Sequence, residues 1–367
     1  LPVEDVQMEG WLHEWMQRFT RQETLALRPI PTGLQAQLRP YQHYGFSWLD
    51  FFRRWGIGAC LADDMGLGKT LQTLTLLLSI KQEMGRQPAP VLLICPTSVV
   101  LNWAQEAARF TPDLRLLVHQ GLNRLQGDAL LAAAQQVDMV VTSYALVRRD
   151  AETLQRQEWL SVILDEAQNI KNASSKQAQS IRRLAAQFRL ALTGTPVENR
   201  LTELWSILHF LNPGFLGSQQ SFRRHFALPI ERYDDDEAAQ RLRRLTTPFI
   251  LRRVKTDPAV IQDLPEKQET KVYCSLTAEQ ATLYEAVVQN ALDAVAGAED
   301  LQRRGLVLAM LMKLKQICNH PAQFLHQIGG GYNPDGDERR SGKLLRLAEM
   351  LEELLAAGDR VLIFTQF

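Results

Sequence analysis

The sequence predicts an α/β fold, a parallel sheet with helices on both faces. Three observations point there. Between about Leu38 and Phe215, short apolar runs recur: "GIGACLA", "APVLLICPT", "DLRLLVHQ", "VDMVVTSY", "LSVILDEA" and "FRLALTGT". Helical patterns separate them, with Leu71, Leu74 and Leu78 on one face and Trp103, Ala107 and Phe110 on another. Each run ends in polar or small residues. Strands that are apolar throughout belong to sheets covered on both faces. Such folds place their chemistry just past the C-terminal strand ends.

The elements follow in order. The first 35 residues, "LPVEDVQMEGWLHEW" onward, read as a helical lead-in, and the strand–helix alternation starts near residue 36. After Gly217 the character changes. "SQQSFRRHF" and "DDDEAAQRLRRLTTPF" read as charged helices, and "LRRVKTDPAVIQDLPEKQET" as a strap broken by Pro258 and Pro265. "TKVYCSL" reads as a further strand and 277–318 as helical. The Gly-rich 327–342 reads as a linker. "KLLRLAEMLEELLAAGDRVLIFTQF" then reads as a helix, a glycine turn and a strand. Leu344, Leu347, Leu351 and Leu354 form an apolar stripe on that helix. A chain that starts at Leu1 and stops on "VLIFTQF" looks cut from something longer.

Composition excludes little. The 367 residues carry 41 basic and 41 acidic side chains, so no global charge argues for or against nucleic acid. Cys60, Cys95, Cys274 and Cys318 form no C-x-x-C pair, and a reducing cytoplasm suits so few cysteines. Cys318 and His320 in "ICNHP" lack partners for a metal. No apolar run reaches the ~18 residues of a membrane helix, and no signal peptide is visible.

"LADDMGLGKT" carries the first chemistry. Gly66 and Gly68 let the backbone curl so that amides face phosphate oxygens. Lys69 supplies a charge for the β- and γ-phosphates, and Thr70 opens a helix with its hydroxyl on Mg²⁺. Asp63 stands where the common pattern has glycine. A plain glycine turn with a surface lysine is the alternative, and the strand before and helix after speak against it. In "VILDEAQ", Asp165 and Glu166 follow a buried strand. One carboxylate of such a pair holds Mg²⁺ and the other polarises the attacking water. In "LTGTP", Thr193, Gly194 and Thr195 either sense the γ-phosphate or merely cap the helix beginning near Leu201.

Together these groups resemble a helicase superfamily two ATPase, and the details resemble the Swi/Snf family of DNA-translocating ATPases, of bacterial type. The carriers are "LRPYQHYGFSWL", "LADDMGLGKTLQTL", "ICPTSVVLNWAQEAARF", "VVTSYALVRRD", "VILDEAQNIKN", "LTGTPVENRLTELWSILHFLNPGFLG", "LRRVKTDPAVIQDLPEK", "LKQICNHP" and "SGKLLRLAEMLEELLAAGDRVLIFTQF", spanning about 36–367. Asp63 is normal in that family. Asp64 stands where Glu is common, and Gln168 where His is common.

The resemblance implies a first RecA-like lobe at 36–275, with a helical protrusion and brace near 218–268. A helical insertion and linker follow at 276–340, and 341–367 opens a truncated second RecA-like lobe. It implies ATP and Mg²⁺. Gln42 would read the adenine edge, and Asp64, Met65, Gly66, Leu67, Gly68, Lys69, Thr70 and Leu71 would form the phosphate cradle. Thr70 and Asp165 would hold the metal. Lys69, Asp165, Glu166 and Gln168 would carry catalysis, with Thr193, Gly194 and Thr195 coupling it. Thr97, Ser98, Thr142 and Ser143 would touch phosphates of double-stranded DNA without reading bases, although each hydroxyl could equally cap a helix. Lys171 and Asn172 would line the same groove. Arginine doublets such as Arg182-Arg183 and Arg252-Arg253 could feed a phosphate track. The implied machine tracks along duplex DNA without separating strands, moving a transcription, repair or other nucleoprotein cargo. An arginine from the rest of the second lobe would complete its site. The exposed stub implies self-association. "TELWSILHFLNPGFLG" and "QICNHP" argue against an RNA helicase or restriction motor, and intact Lys69, Thr70, Asp165 and Glu166 argue against a non-catalytic scaffold.

Overall fold

The computed structural model describes residues 25–85, 89–194, 200–257, 260, 269–296, 300–327 and 338–367. They form two compact units, Leu1–Leu264 and Pro265–Phe367. The first is built on a seven-stranded sheet: β1 (Ala59–Leu61), β2 (Val91–Cys95), β3 (Leu116–His119), β4 (Met139–Ser143), β5 (Trp159–Asp165), β6 (Ala186–Leu192) and β7 (Ile250–Leu251). The order across the sheet is β3-β4-β2-β5-β6-β1-β7, and every pairing is parallel.

The apolar runs form strands because both faces are covered. All five residues of β2 are buried, and so are the first six of β5. The flanking helices are α1 (Pro40–Arg54), α2 (Lys69–Met84), α3 (Val100–Phe110), α4 (Gly127–Ala134), α5 (Tyr144–Arg149), α6 (Ala151–Gln155), α7 (Lys176–Arg182) and α8 (Leu201–Leu211). Phe46, Leu49 and Phe52 of α1 and Leu74, Leu77 and Leu78 of α2 are fully sealed in the core. Each such side chain contributes roughly 1.5–3 kcal/mol by leaving water. Leu71 and Phe110 pack at the core's margin. A helix α9 (Asp236–Thr246) follows the helical segment of 219–233, and Asp235 caps it by accepting from Ala238 N at 2.9 Å.

Register fixes where chemistry can gather. Leu61 of β1 lies opposite Leu192 of β6, which lies opposite Asp165 of β5. Leu164 lies opposite Ile94, and Cys95 opposite Ser143. Asp165 and residues 62–64, 166, 193 and 96–98 therefore gather at the C-terminal ends of the parallel strands, though they are far apart in sequence.

The second unit contains α10 (Ala278–Ala296), α11 (Asp300–Asn319) and α12 (Gly342–Ala356). Val287, Leu314 and Ile317 form its small core. Buried Gln280 ties it together. Its amide donates to Ile317 O at 2.8 Å, and its carbonyl accepts from Thr277 N and Gly342 N. His320 caps the turn at Pro321 by accepting from Ala322 N.

Several expectations are corrected. Residues 269–277, including "KVYCSL", contain neither helix nor strand, and neither do residues 359–367. Each has the residue types of a strand, but a strand needs a ladder partner. The expected helical lead-in fails over 25–35, and residues 1–24 lie outside the described residues. The strap begins with an unforeseen edge strand, β7. The rest of it past Asp257 lies almost wholly outside the described residues, as does most of the expected linker.

Candidate nucleotide and DNA site

The loop from Asp63 to Lys69 links β1 to α2. Gly66 and Gly68 have φ of +82° and +76°, which only glycine adopts without strain. The ends of two flexible side chains also crowd these positions. A Cβ on Gly68 would strike the amide nitrogen of Gln42, and one on Gly66 would lie 2.9 Å from Lys255 Nζ. Lys69 Nζ donates to the carbonyls of Asp63 at 2.6 Å and Asp64 at 3.4 Å, spanning the hollow of the loop. Leu67 is buried and anchors the loop, whereas Met65 is exposed beside Gly194. Gln42 donates to Leu67 O at 3.2 Å and accepts from Arg39 N at 2.9 Å, so α1 meets the loop through this residue.

Asp63 has a structural role that spacing does not reveal. Its fully buried carboxylate receives both arms of Arg253, with Nε donating at 2.9 Å. Arg253 also donates to Tyr41 O and to Gln72 Oε1, and lies over the Tyr41 ring. This arginine is therefore no part of a phosphate track. Arg182 is likewise engaged, donating to Ala173 O and Ser206 Oγ.

Asp165 ends β5. Trp103 Nε1 on α3 donates to its Oδ2 at 2.8 Å. Trp103, expected only as core, therefore orients a carboxylate of the site. Burial pushes the Asp165 carboxyl above its ordinary range, while the Trp103 bond opposes the rise. Burial also raises Glu106, one helical turn beyond Trp103, while the nearby Thr70 hydroxyl opposes the rise. No motif in the sequence marks Glu106. A hydroxyl and hard carboxylate oxygens that are costly to leave uncompensated fit Mg²⁺ held jointly with phosphates. Among the described residues no group of three His, Cys, Asp or Glu could hold a metal alone.

Glu166 has φ 51° and ψ 56°, a left-handed conformation uncommon outside glycine. Tyr144 OH donates to Asp165 O at 2.8 Å and Asn169 Nδ2 to Glu166 O at 2.9 Å, which pins the turn. Gln168 Nε2 donates to Glu166 Oε2 at 2.7 Å, and Gln168 Oε1 accepts from Thr193 Oγ1 at 2.9 Å. Thr195 lies outside the described residues. Gln168 also lines an open cleft with Arg148, Lys171, Asn172 and Lys176. Thr97 and Ser98 are exposed on a turn past β2. Thr142 is corrected: it is fully buried, and its hydroxyl is bonded to His119. Ser143 is 2% exposed, so its place in a DNA surface is corrected too. The four cysteines are free, and burial pushes the Cys60 and Cys95 thiols up to about 12.

The profile of the SNF2-related domain matches residues 41–323. The chain belongs to the SNF2 family. The Bacillus subtilis protein YwqA, whose name assigns it provisionally to ATP-dependent helicases and translocases, is 45% identical over 97% of this chain. The ATPase ISW1 of an ISWI chromatin-remodeling complex from Saccharomyces cerevisiae is 35% identical over 92% of it. The chain spans 38% and 30% of these two relatives. The SWI2/SNF2 ATPase core of Sulfolobus solfataricus in complex with double-stranded DNA is 45% identical, with a TM-score of 0.60 over 92% of this chain and 68% of that one. The seven-stranded sheet is thus the RecA-like fold of SNF2-family ATPase cores.

Proposed function

We propose that this SNF2-family chain is the ATP-binding half of a motor that couples ATP hydrolysis to movement along double-stranded DNA without separating its strands. The observation that carries this reading is the position of Gln168. It lines a cleft with three cationic side chains and bonds both Glu166 and Thr193. A contact on the cleft side reaches the hydrolytic carboxylate through one residue.

Lys69 exchanges the Asp63 and Asp64 carbonyls for phosphate oxygens, beside the loop amides and the N-terminus of α2. Thr70 and Asp165 would hold Mg²⁺, which neutralises charge on the transferring phosphoryl group. Glu166 orients and deprotonates the attacking water, and Gln168 sets the direction of that carboxylate. Gln42 reads the adenine edge after exchanging its bond to Leu67 O. Thr97, Ser98, Lys171 and Asn172 bear on DNA phosphates, so binding is indifferent to sequence and falls steeply with salt. Further residues, including an arginine toward the γ-phosphate, come from a second lobe that 341–367 begins. A cytoplasmic setting and a nucleoprotein cargo complete the reading.

The test uses the protein containing this chain and a whole second lobe. It should displace a third strand from a DNA triplex only with ATP, and leave a plain duplex wound. Unwinding of the duplex, or equal activity on RNA, would favour the helicase alternative.

A further inference from the structure

The segment after β7 runs beside the phosphate loop, 190 residues away in sequence. The parallel ladder pairs Cys60 with Ile250 and Leu61 with Leu251. The pairing continues past the strands. Ala62 N donates to Leu251 O at 2.7 Å, and Asp64 N donates to Arg253 O at 3.0 Å. The Arg253 side chain then locks onto buried Asp63. Lys255 N donates to Asp64 Oδ2 at 3.1 Å. These bonds fix the backbone of Lys255 against the loop.

The side chain of Lys255 is exposed, yet it lies back across the loop. Its Nζ and Cε stand 2.9 Å and 3.3 Å from where a Cβ of Gly66 would be. No carboxylate of a described residue pairs with this ammonium. Lys69 spans the loop from within, through the Asp63 and Asp64 carbonyls. Two lysines therefore border one short loop, the second delivered by an edge strand. A nucleoside di- or triphosphate brings several negative charges to such a loop, and one lysine leaves most of them to solvent and metal.

We propose that Lys255 is a second phosphate-binding lysine of the nucleotide site, engaging an oxygen of the di- or triphosphate held by residues 64–69. This rests on the nucleotide reading above. It makes β7 and residues 252–255 a wall of the site as well as a brace for the loop. Arg253 acts as a positioning residue for it, through Asp63.

The experiment measures equilibrium binding of fluorescent ATP and ADP to the whole chain carrying Lys255→Ala, Lys255→Arg or Lys69→Ala, with unfolding temperatures of the nucleotide-free proteins. Lys255→Ala should weaken both nucleotides by about tenfold, as expected for loss of one charge-assisted contact. Its unfolding temperature should match the parent's, and Lys255→Arg should restore most of the affinity. Affinity within about twofold of the parent in Lys255→Ala would overturn the proposal. So would equal losses in the Ala and Arg variants, which would mean that the shape of the loop matters and the charge does not. Unchanged binding in Lys69→Ala would instead overturn the nucleotide reading on which the proposal rests.

Discussion

Gln168 joins Glu166 to Thr193, donating to the carboxylate at 2.7 Å and accepting from the hydroxyl at 2.9 Å. The amide is polar at both ends, so one residue can hold a carboxylate and a hydroxyl at once. Gln168→Ala should leave ATP binding within about threefold and lower DNA-stimulated turnover by about tenfold or more. Gln168→Glu should be worse, because two carboxylates would then meet. Gln168→His, which keeps a ring donor, should retain more activity than either. Steady-state kinetics on the protein with a complete second lobe check this. A rise in KM alone would show that the residue serves only binding.

Trp103 should set the pH range of metal-dependent nucleotide binding. Burial already raises the Asp165 carboxyl, and the indole N–H opposes that rise. Trp103→Phe removes the opposing bond, so the carboxylate protonates at higher pH. Mg²⁺-dependent ADP affinity should then be lost at a higher pH in the variant as the solution is acidified. The stability effect has the opposite direction. A folded pKa above the unfolded value favours folding at low pH, and this contribution is lost as pH rises through the raised value. A pH titration of ADP affinity with the same midpoint in parent and variant would remove Trp103 from the site.

Arg253 and Asp63 should behave as one unit. Removing one partner leaves a buried charge uncompensated, at a cost of about 3–5 kcal/mol. Arg253→Met and Asp63→Asn should each destabilise strongly, and the double variant by clearly less than their sum. Denaturant unfolding of the three proteins measures the coupling. Additive losses would mean that the two side chains do not depend on each other.

The final segment should promote self-association. Leu362 and Phe364 are 83% and 89% exposed, and the described residues of 359–367 have no ladder. Exposed apolar backbone without partners invites pairing between molecules. Light scattering should show concentration-dependent association of this chain, reduced by removing 359–367 while α12 is kept. Monomers at high concentration in both forms would contradict this.

The strands and the site edge were legible in sequence because buried parallel strands are continuously apolar. Lys69, Asp165 and Glu166 sit at their ends, where the pattern breaks. Other parts left no such mark. Asp63 and Arg253 are 190 residues apart, and no local pattern signals an ion pair at that separation. Trp103 reads as core because an indole on an apolar helical face usually is core, and its N–H direction is set only by packing. Thr142 shows the reverse: a hydroxyl near a strand end looked available, but β3 brings His119 over it. The two failed strands, near residue 273 and after residue 360, show that strand-forming residues do not by themselves supply a neighbour.

In the proposed reading, this SNF2-family site hydrolyses ATP in response to duplex DNA. The most direct measurement is steady-state phosphate release by the protein with its second lobe complete, with and without duplex DNA. Strong stimulation by the duplex is expected, with loss of ATP binding in Lys69→Ala and binding without turnover in Glu166→Gln. Release by residues 1–367 alone should be near background, because an arginine on the transition state can be worth roughly 10³–10⁵ in rate. Equal release with and without duplex DNA, or parent-like turnover in Glu166→Gln, would contradict the proposed reading.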